Sequence, residues 1–288
     1  MRLLVLGATG MLGHVLCGVL AGRGHEVAAT WHSAPRPDDL PGKPALIGPQ
    51  DLTAPDAVDH VLGTVQPAVI VNCAGLIKQR AGETDMAAMI ALNALLPHRL
   101  AAACTKAGVR LIQISTDCVF SGQRGHYAET DTPDAGDAYG LSKLLGEVAA
   151  PHLTLRTSLV GWQRGDAADS LLGWFWSQRG QQAKGYTRAF FSGLSTPAFS
   201  RLLADLIERH PKLAGMYHVA AGRISKHDLL AGLNRRLGHP VTLRPDASLV
   251  IDRSLDGRRF RTETGLTAPA WDQMLDELRQ ERMCRDAD

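Results

Sequence analysis

Several absences in this sequence narrow its function. Its five cysteines, at 17, 73, 104, 118 and 284, show no paired metal-ligand spacing, and their odd number argues against a secreted disulfide framework. The eleven histidines offer no His-Glu-x-x-His arrangement, so no metal is expected. Net charge is only +2 over 288 residues, which gives no reason to expect a nucleic acid partner. Basic residues are scattered apart from Arg258, Arg259 and Arg261, which read as a solvated loop. No run of eighteen apolar residues occurs: the best stretch, Met86 to Cys104, is broken by Asn93, Pro97, His98 and Arg99, so no membrane span is expected. Cytoplasm is the default location.

What is present reads as an enzyme. Apolar content of 45% and charged content of 21% are ordinary for a globular chain, long enough for one domain with a smaller lobe. Tyr139 and Lys143 stand four apart, on one face if the segment is helical. A free tyrosine, with a pKa of about 10, is a poor acid-base catalyst at neutral pH. A positive charge ~4 Å away would favour the phenolate by up to ~4 kcal/mol at an effective dielectric of ~20. Such a pair alone is usually a solvated one, so its meaning depends on what surrounds it.

Arg2 to Leu6 has the length of a buried parallel strand and ends in Gly7-Ala-Thr9-Gly10-Met11-Leu12-Gly13, after which helical spacing runs to Leu20. Glycines at such a turn let backbone approach a pyrophosphate at a helix N-terminus. The spacing is G-x-x-G-x-x-G, and glycines at 7, 10 and 13 exclude a secretory signal core. Leu111 to Ser115 reads as another strand, delivering Ser115-Thr116-Asp117-Cys118-Val119-Phe120 at its carboxyl end, where ligands sit in open α/β sheets.

Further strands at Glu26–Thr30, Ala45–Ile47, Ala68–Val71, Leu153–Arg156 and Gly215–Val219 alternate with helices, among them a long one from Met86 to Ala107. The alternation predicts an α/β fold, a doubly wound parallel sheet with a smaller, discontinuous C-terminal lobe. The expected division is 1–160, with about 195–222, for the sheet domain, and 161–194 with 223–288 for the lobe. No acid stands between 27 and 37, where NAD enzymes of this fold hold the ribose 2′-hydroxyl. Ser33 and Arg36 are there instead, and an arginine suits a 2′-phosphate; NADPH is favoured, with NADH possible.

Gly7/Gly10/Gly13, Asn72-Cys73-Ala74-Gly75, the Ser115–Phe120 segment and Tyr139-x-x-x-Lys143 together resemble the extended short-chain dehydrogenase/reductases. Ser-Thr-Asp-x-Val-Phe followed by the run from Tyr139 to Glu147 is similar to the dTDP-4-dehydrorhamnose reductase group, as are Asp252–Asp256 and Pro269–Trp271. The resemblance implies reduction of the 4-keto group of a nucleotide-activated deoxysugar, and allows a homodimer. It implies that Tyr139 donates the proton, Lys143 lowers the tyrosine pKa and holds the nicotinamide ribose, and Thr116 orients the sugar oxygen. Thr9, Met11 and Leu12 would join the glycines around the pyrophosphate, and Asp51 and Leu52 the adenine. Cys73, Ala74 and Gly75 would lie along the dinucleotide, and Ser115, Thr157 and Ser158 near the nicotinamide. Lys78, Asp117, Cys118, Val119, Trp174 and Arg253 would meet the substrate.

Three rivals share the resemblance. Related dehydratases carry Glu where this chain has Cys118. Epimerase/reductases carry Cys there with a later His, but no His stands between His152 and His210. Regulatory subunits only bind, and intact Thr116, Tyr139 and Lys143 argue against that role. Asn93 could tie the active-site helix to its neighbour or be an ordinary satisfied surface Asn.

Overall fold

The computed structural model describes residues 1–33, 36–77, 86–165, 170–238 and 241–287. Seven parallel strands form the main sheet: β1 (Arg2–Leu6), β2 (Glu26–Thr30), β3 (Ala45–Ile47), β4 (Val69–Asn72), β5 (Arg110–Thr116), β6 (Leu153–Thr157) and, later in the chain, β11 (Gly215–His218). Their order is β11-β6-β5-β4-β1-β2-β3. The chain thus winds one way from β1 and the other way from β4, and the crevice opens above the carboxyl ends of this neighbouring pair.

Alternation within β1 shows why the strand is apolar from Leu3 onward. Leu3 and Val5 enter one core, against α1 (Gly13–Gly22) and α6 (Thr196–Arg209); Leu4 and Leu6 enter the other, against α2 (Ala57–Val65) and the helix α3 (Met86–Ala107). All four are fully buried, each leucine worth roughly 1.5–3 kcal/mol relative to exposure. α3 is the one helix among the described residues long and apolar enough to span a bilayer. It packs one side on the sheet through Leu96, Leu100 and Cys104. Its middle, Ile90–Leu95, is a π-helix, a rare widened turn that is frequent at functional sites.

Between β5 and β6 lies α4 (Ala138–Leu145). The strands β7 (Leu159–Val160), β8 (Gln182–Tyr186), β9 (Ala189–Phe191), β10 (Leu194–Ser195), β12 (Ile224–Ser225), β13 (Thr242–Asp246) and β14 (Ile251–Asp252) make three small sheets. With α5 (Leu171–Ser177), α7 (Lys226–Leu237) and α9 (Trp271–Ala287) they enclose a third core around Trp162, Phe175, Phe191 and Leu229. Residues 258–264 form a helix, α8 (Arg258–Thr264), where the sequence suggested a loop. The cause is pairing: Asp256 accepts from the Arg258 backbone N–H and side chain, and Arg259 bonds Glu263 one turn on.

Candidate active site

The loops that follow β1, β4, β5 and β6 meet α4 and the small lobe around a cavity of about 490 Å3. From the glycine turn come Gly10, Met11 and Leu12; after β4 come Cys73, Ala74 and Gly75. The end of β5 supplies Ser115 and Thr116, with Asp117 and Cys118 just beyond it, and β6 ends in Thr157, followed by Ser158. Tyr139, Lys143 and Arg253 line it as well.

The helix α4 is started by Asp137, whose carboxylate accepts the Gly140 N–H at 2.9 Å. Tyr139 therefore lies in the first turn and Lys143 in the last, on one face, as the spacing requires. Burial pushes the Tyr139 phenol above its ordinary pKa, the neighbouring Cys118 adds to that, and a hydrogen bond with the Thr116 hydroxyl opposes it. The net direction is upward, against the lowering by Lys143 that the resemblance implies. Lys143 Nζ donates instead to the Ile114 carbonyl at 2.7 Å, and desolvation of the phenol outweighs the opposing hydrogen bond. Burial pulls Lys143 itself down to about 8, against the push of Glu147 and Cys73.

Thr116 ends β5 in extended conformation, and its hydroxyl accepts the Cys118 N–H at 3.1 Å, opening a single 3-10 turn. Asp117 is buried behind it; desolvation raises its carboxyl, while the cations Lys226 and Arg253 pull the other way. Arg253 is fixed by its Nε donating to the Phe120 carbonyl at 2.9 Å, and its Nη1 lies 3.6 Å from Cys118 Sγ. Burial pushes the Cys118 thiol up to about 12, so it carries its proton at neutral pH.

Other sequence candidates lie elsewhere. Val119 is fully buried in a small core with Phe120 and Tyr127, and does not line the cavity. Trp174 packs on the third core, because the turn of α5 that carries it faces inward. The cavity takes Gln163, Ser170 and Leu171 from that region instead. Leu52 belongs to the core under α2, and Asp51 accepts from the Thr53 N–H and hydroxyl at 2.9 and 2.7 Å, closing a turn. Ser33 is exposed, and so is Arg36, whose Nε sits 3.2 Å from Asp38. Lys78 lies outside the described residues. Gly7, Thr9 and Gly13 shape the turn without lining the cavity.

The turn suits a dinucleotide. A Cβ on Gly13 would stand 2.2 Å from the Gly7 carbonyl oxygen, so only glycine permits this tight fold. The N–H groups of Met11 and Leu12 make no hydrogen bond among the described residues and border the cavity at the start of α1. Free donors at a helix N-terminus favour a phosphate.

Sheet order, glycine turn and the Tyr139/Lys143 face define an extended short-chain dehydrogenase/reductase, a class of NAD(P)-dependent oxidoreductases. Within it, the chain belongs to the family described as the RmlD substrate binding domain, matched over residues 1–282. It is 29% identical over 310 residues to the dTDP-4-dehydrorhamnose reductase of Shigella flexneri, covering 96% of this chain and 98% of that protein. It is 33% identical over 284 residues to a Streptomyces antibioticus protein named "Probable dTDP-4,6-dihydroxy-2-methyloxan-3-one 4-ketoreductase", covering 88% and 83%. The solved dTDP-4-dehydrorhamnose reductase of Bacillus anthracis, in complex with NADP, shares the fold with a TM-score of 0.80 at 23% identity, over 97% of this chain and 99% of that one.

Proposed function

We propose that the protein reduces the 4-keto group of a nucleotide-activated deoxysugar with NADPH. The observation that carries this reading is the convergence of Thr116, Tyr139 and Lys143 with the glycine turn on one cavity. The names of the Shigella and Streptomyces relatives supply the substrate class.

NADPH, when bound, supplies the hydride. Gly10, Met11 and Leu12 would hold its pyrophosphate, Cys73 to Gly75 its length, and Ser33 with Arg36 its 2′-phosphate. Tyr139 keeps its proton at neutral pH because it is buried, which suits a donor to the developing alkoxide. The Thr116 hydroxyl, hydrogen-bonded to the phenol, sets the direction of that transfer. Lys143, charged below about pH 8, places a positive field beside the phenolate left behind. Arg253, with Asp117 and Cys118, faces the substrate end, and the lobe of 161–194 and 223–288 closes over it.

A thiol held near 12 is a poor base for epimerisation, which favours simple reduction over the Cys118 alternative. Five free cysteines fit a reducing compartment such as the cytoplasm. Exposed Met86, Ile90, Leu95, Leu141 and Leu145 on α3 and α4 suit a second copy of the chain, testable by sedimentation.

The test is NADPH oxidation with a 4-keto sugar nucleotide in deuterated water. Consumption without deuterium at C3 or C5 supports the reductase. Uptake at either carbon assigns an epimerase, and no consumption with any 4-keto sugar nucleotide removes the reading.

A further inference from the structure

Two consecutive residues of β5 grip two residues one turn apart on the α4 side. The Ile114 carbonyl accepts from Lys143 Nζ, and Ser115 Oγ donates to Glu147 Oε1, both at 2.7 Å. Glu147 also receives Arg156 of β6 in two prongs, Nε to Oε1 and Nη2 to Oε2, each at 2.7 Å. Arg156 continues inward: its Nη1 donates to His218 Nε2 at 3.3 Å, and His218 Nδ1 donates to the Tyr127 carbonyl at 2.9 Å. The Glu147 and Arg156 side chains are 6% and 4% exposed. Stability alone is a weak reason for such a pair, since apolar residues of equal volume often replace one at no loss. Its position beneath the cavity offers a better reason.

We infer that Glu147 is a positioning residue for Lys143: locked to β5 and β6, its carboxylate keeps the buried ammonium charged and seated on the Ile114 carbonyl. This rests on the proposed role of a charged Lys143. Several charged or titratable groups surround the ammonium. Cys73 faces it from the loop after β4, and Tyr139 and Glu147 come from its own side; Arg156 and His218 stand behind Glu147. α3 contributes only the uncharged Asn93. Cys73 is raised by burial and stays a neutral thiol, and Arg156 is engaged in its two-pronged pair with Glu147. Among the described residues, Glu147 is the carboxylate that opposes the desolvation of Lys143.

The experiment compares the parent chain with Glu147→Gln, Glu147→Asp and Lys143→Met. It follows kcat with saturating NADPH and a 4-keto sugar nucleotide from pH 6 to 9.5. It also titrates the Lys143 signal by NMR in 13C-lysine-labelled protein without substrate, assigned by its loss in Lys143→Met. In Glu147→Gln both the basic limb of kcat and the Lys143 titration should move down by about one pH unit. Normalised at pH 6, its rate at pH 8 should then be about fivefold below the parent. Glu147→Asp should restore most of the limb. If Glu147→Gln does not fold, Glu147→Gln combined with Arg156→Met removes both buried charges and carries the same expectation. A folded variant whose limb and titration are unmoved overturns the inference while leaving Lys143 its role. Parent-like turnover in Lys143→Met overturns the reading beneath it.

Discussion

Asn93 and Leu76 exchange two hydrogen bonds: the Leu76 N–H donates to Asn93 Oδ1 at 2.8 Å, and Asn93 Nδ2 donates to the Leu76 carbonyl at 2.9 Å. The same amide group lies 3.1 Å from Ser142 Oγ on α4. A side chain only 1% exposed thus binds the loop after β4 to the helix that carries Tyr139 and Lys143. The π turn in α3 lies where this amide is delivered, which accounts for the irregular helix at that point.

Asn93→Ala should therefore leave the Leu76 N–H and carbonyl without partners. The expected cost is about 2–3 kcal/mol, read from urea denaturation. Because residues 73–75 border the cavity, KM for NADPH should rise along with the loss of stability.

Tyr139→Phe deletes one oxygen and leaves the ring that packs at the cavity wall. Turnover should drop by roughly 10²–10⁴, the usual share of a positioned acid. NADPH affinity, measured by fluorescence titration, should change less than about twofold. An unchanged kcat would remove the tyrosine from the reaction.

His218 gives a pH dependence of folding. Burial, followed by the neighbouring Arg156, pulls its pKa from 6.5 down to about 4. Its Nδ1 proton is committed to Tyr127, and its Nε2 accepts from Arg156, so a second proton has no acceptor. Between pH 4 and 6.5 the unfolded chain binds more protons than the folded one, so stability falls as pH drops through that window. The loss attributable to this ring is up to about 3 kcal/mol by pH 4. Urea midpoints from pH 7 to 4 should show it, and His218→Gln should flatten the slope.

The parts of the site that were legible in the sequence are those governed by short-range rules. Tyr139 and Lys143 share a face because a helix repeats every 3.6 residues, and the glycines at 7, 10 and 13 mark a turn whatever lies beyond it. The strands were readable because apolar runs such as Leu3 to Leu6 must be buried on both faces in a parallel sheet. What escaped depends on partners far apart in the chain. Arg156 read as the end of a strand, and nothing local announces its grip on Glu147. Gln163 and Leu171 reach the cavity only because the small lobe folds over the sheet, while Trp174 on the same short helix turns toward its core. Ser170, which also lines the cavity, caps α5 by accepting the Gly173 N–H at 3.1 Å.

Arg36 tests the choice of cofactor. It is 63% exposed, and its partner Asp38 is more exposed still, so the pair contributes little to folding. Arg36→Ala should raise KM for NADPH about tenfold and leave KM for NADH within about twofold, since only the former carries the 2′-phosphate. Asp38→Ala, which frees the guanidinium, should shift the preference further toward NADPH. Equal effects on both cofactors would show that the 2′-phosphate lies elsewhere.

Gly13→Ala separates the turn from the chemistry. The added methyl would meet the Gly7 carbonyl oxygen at 2.2 Å and the Gly7 carbon and Ala8 Cα at 2.9 Å, all backbone atoms that cannot rotate aside. Gly7 itself has φ +80° and lies against Ala74, so it has no room to retreat. The turn must open, and the N–H groups of Met11 and Leu12 move off the cavity. Overpacking of this kind costs about 1–3 kcal/mol, visible as a lower urea midpoint. The sharper expectation concerns binding: NADPH affinity should fall at least tenfold, while Lys143, more than a hundred residues away in sequence and seated on β5, keeps its titration. Retained NADPH affinity in a folded Gly13→Ala protein would mean that the pyrophosphate does not rest on this helix.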